Sequence, residues 1–419
     1  MKWLNRMIVL SGFLIHNGND AIAQTNYTLQ QALQAAKAHN LSLKTESYNK
    51  EIAASDVVTA GLRPNLTLNN QTLQLLQPSH YAPNTNFVNS KNRQNWWQLT
   101  KTFQVAGQRD NKIDLANKNV ALTASGYQES ERQLFYDVAS KWLENWTAQK
   151  QLDILNVAKN NTDSLLNINQ LKYKNQVINQ TDLFRTELLS KQYALQLKTA
   201  RQEIAIKQKE LKLLLGIEDS IGIDMSDNFG YYVSSDLDSL LSQSGNIRTD
   251  IVAAKSLIDV SNSNIKLQKS LAYPQPEIGL IWNPQNGVHY MGVYATIDLP
   301  FFNRNQGEIR KAQVQKEQAE MNLTTVQKSL QSEVAVAYSN YRNQLDNIQK
   351  FQPILLQSQS ILDNVKYAYI KGGTTIIDFL EAQRSWLDNQ QQYYDALEQY
   401  RQSYIQLIYT TGLINQLAI

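Results

Sequence analysis

Asp378 and Glu381, set three residues apart, are the most concentrated chemistry in the sequence. On a helix that spacing puts both carboxylates on one face. A glycosidase-like pair needs its two carboxylates opposed across a bond, so these two lack a facing partner. What they can supply is fixed negative charge. Repeated around a symmetry axis, such a charge selects cations by its field; in a single copy near a helix start it simply complements the helix dipole. The histidines add nothing catalytic, because His39, His80 and His289 are far apart and fall in different predicted elements, and His16 lies near the N-terminus. No nucleophile elbow, phosphate loop, metal-spaced histidine pair or dinucleotide fingerprint occurs. With no such constellation, the chain reads as a non-enzyme with no cofactor or metal site.

The elements that position the carboxylates are duplicated. Tyr369 precedes Asp378 by nine residues, and Tyr173 precedes Asp182 by the same nine. Tyr173, Asp182 and Gly216 map onto Tyr369, Asp378 and Gly412 at a constant offset of 196 residues (369 − 173), and Ile113 and Ala116 map onto Ile309 and Ala312 in the same register. Self-similarity over this length marks duplication of a structural unit. Upstream, Pro64 maps onto Pro274 at an offset of 210 (274 − 64), so the first copy has a longer connection between its proline and its long segment. The organisation expected is a leader over 1–23, a first repeat over 24–216, a linker over 217–234 and a second repeat over 235–419.

Within each repeat the long segments follow coiled-coil spacing. Ile113, Val120, Tyr127 and Leu134 step by sevens, as do Leu197, Ile204 and Leu211, then Val334, Tyr341 and Ile348, then Leu380, Leu387 and Tyr394. Seven-residue steps give each helix one narrow dry stripe, and the Gln, Asn, Lys, Ser and Glu between them leave the rest wet. The spacing predicts long helical hairpins over about 107–215 and 303–412, each long arm about 100 Å at 1.5 Å per residue. Pro353 should kink the second or force a bulge.

Four short segments have period two instead. Trp97, Leu99, Phe103 and Val105 alternate with polar residues, and Met291, Val293, Ala295, Ile297 and Leu299 do the same. Each is expected to pair with an upstream strand, giving strand pairs over about 64–105 and 274–300 across loops carrying Pro78, Pro83, Pro284 and Gly287. Trp96, Trp97, Trp282, Tyr290 and Tyr294 gather in these strands, as an outer-membrane aromatic girdle requires. A soluble hairpin capping a helical bundle is the competing reading of the same alternation. Four strands cannot close a barrel, and an open sheet in lipid would leave its edges unpaired. Three copies would give twelve strands, enough to surround water.

Composition narrows the setting. Lys2 and Arg6, the apolar run Met7–Ile15 and the small residues Ala21 and Ala23 have the form of a cleavable export signal, with Gln24 first in the mature chain. Beyond it no apolar run is long enough for a membrane helix. A formal charge of +3 over 419 residues, with the cations scattered, argues against nucleic acid. Cysteine is absent, so the chain must hold together by packing or assembly.

These pieces resemble one family, the TolC-like outer-membrane factors, over nearly the whole mature length. The resemblance rests on Tyr27-Thr28-Leu29-Gln30-Gln31-Ala32-Leu33, on Leu62-Arg63-Pro64 and Ala272-Tyr273-Pro274, and on Asp298-Leu299-Pro300-Phe301-Phe302-Asn303-Arg304-Asn305-Gln306-Gly307. It rests also on Tyr369-Ile370-Lys371-Gly372-Gly373 followed by Ile377-Asp378-Phe379-Leu380-Glu381. It implies a mainly α fold with a small β part. In that fold three chains form a 12-stranded outer-membrane β-barrel continued by a periplasmic α-helical barrel, which passes solutes from an inner-membrane pump and a periplasmic adaptor. By the same resemblance, Asp378, Glu381, Tyr369 and Asp182 fall on the entrance gate, and Lys174, Asn175, Gln176, Lys371, Gly372 and Gly373 on the adaptor-contacting tips. The first tip departs from the family in having Asn175-Gln176 where a glycine is common, and Thr374 stands where some members place a gate-locking arginine.

Among members, the chain looks closest to the CusC/CzcC type, which serves resistance-nodulation-division pumps for metal cations. With no Cys and five Met it shows no relay for softer metals. Drug efflux and type I protein secretion use the same kind of duct. A periplasmic adaptor, the alternative from another class, would show one helical hairpin flanked by β-domains and not two copies.

Overall fold

The computed structural model describes residues 25–227, 232–233, 236–285 and 288–418. The export signal, part of the 217–234 linker and Gly287 lie outside the described residues. Each repeat has two short helices, a strand pair and a long helical hairpin. In the first, α1 (Leu29–His39) and α2 (Leu41–Gly61) lead to β2 (Leu66–Gln74) and β3 (Arg93–Thr102), then α3 (Gln108–Lys174) and α4 (Gln180–Leu215). In the second, α5 (Leu237–Ile247) and α6 (Thr249–Ser270) lead to β5 (Glu277–Gln285) and β6 (Val288–Thr296), then α7 (Gln306–Lys371) and α8 (Ile376–Thr411). Two three-residue strands, β1 (Thr25–Tyr27) and β4 (Ile221–Ile223), pair in parallel and tie the start of the first repeat to its end. The chain is mainly α with a small β part, and no described helix is long and apolar enough to cross a membrane.

The seven-residue stripes of α4 and α7 become buried seams, whereas Ile113, Val120 and Tyr127 of α3 and Tyr394 of α8 stay half-buried. Leu197, Ile204 and Leu211 of α4 and Val334, Tyr341 and Ile348 of α7 are all buried. Midway along α3 the seam widens into a core, where Phe135, Val138, Trp142 and Leu143 meet Leu29 and Leu33 of α1, Leu211 of α4 and Ile405 of α8. Nearer the hairpin tips a second cluster joins Leu155 and Leu165 of α3, Leu189 and Tyr193 of α4, Leu362 of α7 and Phe379 and Trp386 of α8. α7 stays helical through Pro353, which is exposed. The expected kink therefore does not interrupt the helix.

All four long strands form one antiparallel sheet in the order β2-β3-β5-β6, with β2 and β6 at its edges. The longer connection of the first repeat lies between β2 and β3, over residues 75–92, against 286–287 between β5 and β6. Pro284 is not in that second loop but inside β5. It lies beyond Trp282, where pairing with β3 ends and β6 is the one neighbour, a position that tolerates a missing N–H. β3 and β6 stop at Thr102 and Thr296, short of Val105 and Leu299, because the Phe103 amide donates to the Pro276 carbonyl and a proline just before β5 can extend the ladder no further.

Directly paired residues share a face of the sheet, and the register settles which. Leu68, Leu99, Leu280 and Val293 lie on one face with Trp97, Trp282 and Met291. Trp96, opposite Gln71, and Tyr290 and Tyr294, opposite Asn283 and Gly279, lie on the other. The five aromatics thus cannot form a single girdle. Trp97 and Trp282 share the apolar face, and the other three share the face of Thr67, Asn69 and Gln98.

The hairpins end in left-handed glycines, Gly216 (φ 68°) and Gly412 (φ 79°). A Cβ on Gly216 would lie 2.2 Å from the His39 carbonyl oxygen, a contact with backbone that cannot swing away. At Gly372 (φ 80°) a Cβ would meet open space. Gly372→Ala should cost about 1–2 kcal/mol, the left-handed penalty alone. Gly216→Ala should cost more and separate α1 from α4, which urea unfolding of the two variants side by side will show.

Candidate functional site

The candidate site lies at the tips of the two hairpins. α3 and α7 end in the same motif. Val177 N donates to Lys172 O at 2.8 Å and Gln176 N to Tyr173 O at 2.9 Å, while Gly373 N donates to Ala368 O at 2.8 Å and Gly372 N to Tyr369 O at 3.2 Å. These bonds satisfy the last carbonyls of each helix and require a left-handed residue. Gly372 fills that place in the second tip, and Gln176 (φ 57°) fills it in the first, where a side chain is strained. Lys174 and Asn175 close α3, and Lys371 closes α7. The tip residues are exposed.

Both following helices open with a side-chain cap on an aspartate. Asn179 Oδ1 accepts from Asp182 N at 2.8 Å at the start of α4. At the start of α8, Thr375 and Asp378 cap each other: Asp378 N donates to Thr375 Oγ1 at 3.2 Å, and Thr375 N to Asp378 Oδ2 at 3.0 Å. The same carboxylate oxygen accepts from Thr374 Oγ1 at 2.6 Å and Thr375 Oγ1 at 2.7 Å. The bond from Thr374 first, then those from Thr375, hold the Asp378 carboxyl below the usual carboxylate range. Asp378 is therefore a capping residue as well as an exposed charge. Glu381, on the same exposed stripe of α8, has no ion pair among the described residues. Asp182 faces Arg185, 3.5 Å away.

Tyr369 is placed differently from its repeat mate. Tyr173 is 41 % exposed, whereas Tyr369 is 4 % exposed and lies between the hairpins. Its hydroxyl donates to Asn169 Oδ1 at 2.6 Å, Asn169 Nδ2 donates to Thr186 Oγ1 at 2.8 Å, and Thr186 Oγ1 donates to Asp182 O at 3.1 Å. The ring stacks on Phe379 at 5.7 Å between centroids, and Lys172 Nζ lies 4.1 Å over it. One buried polar chain thus joins α3, α4 and α7, and the ring stack on Phe379 adds α8. Burial, then the nearby Asp182 charge, raises the Tyr369 hydroxyl above its ordinary value. Asn169 and Thr186 were not singled out in the sequence; their one trace there is a polar side chain at a seam position.

A further shifted carboxylate lies well away from the tip. Glu398 of α8 is half-buried, with Lys207, Glu144, Asp395 and Glu203 as its charged neighbours, and burial pushes its carboxyl up to about 7. Lys207 and Lys141 are already shared among Glu144, Glu203 and Glu210. No group of three or more potential ligands that could hold a metal ion occurs among the described residues.

Residues 240–413 match the model of the outer membrane efflux protein family. They fall within the second repeat, to which the first is related by the 196-residue offset. No curated protein sequence matches the chain. Among solved structures the chain is similar to CusC, described for transmembrane channel formation, with 19 % identity and a TM-score of 0.74 over 91 % of each chain. It is similar also to the outer membrane channel CmeC of Campylobacter jejuni, with 15 % identity and a TM-score of 0.72 over 92 % of this chain and 85 % of that one. The open-state outer membrane channel MtrE of Neisseria gonorrhoeae gives 16 % identity and a TM-score of 0.73 over 92 % and 88 %. At such identities these likenesses establish the TolC-like fold.

One variant tests the tip, and another tests the buried carboxylate away from it. Tyr369→Phe leaves buried Asn169 Oδ1 without its donor, which should cost about 1–3 kcal/mol and speed amide exchange at both tips. For Glu398 the sign is set by a folded pKa above the unfolded one: its stabilising contribution is complete below about 4.3 and is lost as pH rises through about 7. Glu398→Gln should therefore melt with the wild type near pH 4 and above it at pH 8.

Proposed function

We propose that three copies of this chain form an outer-membrane duct that conducts solutes passively, delivered by an inner-membrane pump through a periplasmic adaptor. One observation carries the reading. A sheet with one apolar face ends in two unpaired edges, β2 and β6, and lipid offers no donors or acceptors to an open edge. Three such sheets joined edge to edge make a closed barrel of twelve strands, wide enough for a water-filled lumen. The polar face with Thr67, Gln98, Trp96, Tyr290 and Tyr294 then lines the lumen, and Trp97 and Trp282 on the outer face meet the lipid interface. Below the barrel, the α3/α4 and α7/α8 hairpins of three chains continue the wall as twelve helices.

The match to the outer membrane efflux protein model supports the efflux role. The tips, with Lys174, Asn175, Gln176, Lys371, Gly372 and Gly373, are the adaptor-contacting ends, and Asp378, Glu381, Tyr369 and Asp182 form the gate. Within it the roles divide. Tyr369 and Asn169 hold the two hairpins of one chain together, and Glu381 contributes field to the lumen undiluted by local hydrogen bonds. The pump is of the resistance-nodulation-division class, carrying metal cations or drugs. A conduit leaves selection of cargo to the pump.

The full chain expressed with its leader should fractionate with the outer membrane as a detergent-stable trimer, and a water-soluble product would overturn the reading. In planar bilayers with a salt gradient, Glu381→Gln should move the reversal potential toward zero, and Asp378→Asn should do so less. Unchanged selectivity in both variants would reject the gate.

A further inference from the structure

At the foot of the sheet, where β3 turns into α3, the chain forms a groove of about 370 Å³ lined by Arg63, Pro64, Lys101, Phe103, Arg109 and Asp110 among others. Three cations meet one acid there. Arg63 and Lys101 have no side-chain partner among the described residues. Arg109 Nε donates to Gly61 O at 2.8 Å, and its Nη1 lies 3.9 Å from Asp110, whose carboxylate is 84 % exposed. An exposed acid at that distance neutralises little of the three.

Lys101 is the telling residue. It is paired with Leu66 and Ile278, so it stands on the apolar face of the sheet, at the edge nearest the helices. A cation there extends its apolar stem along the face and its ammonium toward the groove. Phe103, 45 % exposed, continues the apolar surface to the same level. The first turn of α3, which no side chain caps, lines the groove as well and adds the positive end of its dipole. The corresponding junction of the second repeat, residues 297–305, has one cation, Arg304, and one acid, Asp298. The charge is therefore a property of one repeat and not of the fold.

We propose that this groove binds the phosphate of an anionic phospholipid in the leaflet next to the helices, with its acyl chains along Leu99 and Phe103. The site rests on the reading that the apolar face of the sheet meets lipid. Three grooves per trimer, separated by the nearly neutral junctions of the second repeat, would then seat lipid at fixed points around the barrel foot.

The test uses the detergent-purified trimer and native mass spectrometry, with phosphatidylglycerol and phosphatidylcholine of matched chains added in equal amounts. Phosphatidylglycerol should be retained in preference. Arg63→Gln and Lys101→Gln, which break no bond of the fold, should each lower that preference roughly fivefold, and the remainder should fall with added salt. Lys174→Gln, at the far tip, should leave it intact. A membrane trimer without headgroup preference, or a double variant that keeps it, overturns the lipid site alone. Displacement by millimolar inorganic phosphate irrespective of acyl chains overturns the lipid as its occupant. A water-soluble monomer overturns the duct together with it.

Discussion

The last carbonyls of a helix must find donors, and in both repeats the short arm of the hairpin finds them at the break between the two short helices. Asn40, between α1 and α2, donates to Leu214 O at 2.8 Å, and Arg248, between α5 and α6, donates to Thr410 O at 3.2 Å. Gly216 and Gly412 permit the approach by presenting no side chain. Around the second contact, Arg248 grips Asp250 in bidentate fashion, and buried Arg132 bonds Glu129 and the Tyr409 carbonyl. This junction fixes where each hairpin leaves the body. The strands above and the tips below inherit their positions from it, so a shift here would reach both ends of the molecule.

Much of this was legible in the sequence because its signals are periodic. The seven-residue steps named the seams, and Leu197, Ile204, Leu211, Val334, Tyr341 and Ile348 are all buried. Alternation located the strands, and the constant 196-residue offset related the two halves. What stayed illegible depends on which way a side chain faces. Trp96 and Trp97 are neighbours in sequence, and only a register to β2 and β5 reveals that they serve opposite faces. Tyr173 and Tyr369 occupy the same place in their repeats, yet one is exposed and the other buried, because only the second has Asn169 and Phe379 to meet it. The β1–β4 pair is too short to show a period at all.

At the tip, the two interpretations of the aspartates turn out to be compatible. Asp378 caps α8 and is exposed; its first duty is to the backbone of Thr375, and any field it contributes comes from a carboxylate already held by hydrogen bonds. The buried Tyr369–Asn169–Thr186 chain is a different kind of feature. Its groups are satisfied only while α3, α4 and α7 keep their positions, since a buried donor or acceptor deprived of its partner is costly. It therefore favours one arrangement of the tips over its neighbours.

The arms of the two hairpins have diverged in nearly every residue but not in extent. α3 has 67 residues and α7 66, while α4 and α8 have 36 each. A single insertion in one arm would rotate its dry stripe by about 100° relative to its partner and leave its tip out of level with the other. Length in this molecule behaves as two rulers, each cut in duplicate: the arms keep their register when they change together and by whole heptads. The distance such a column spans is accordingly harder to alter than any of its side chains.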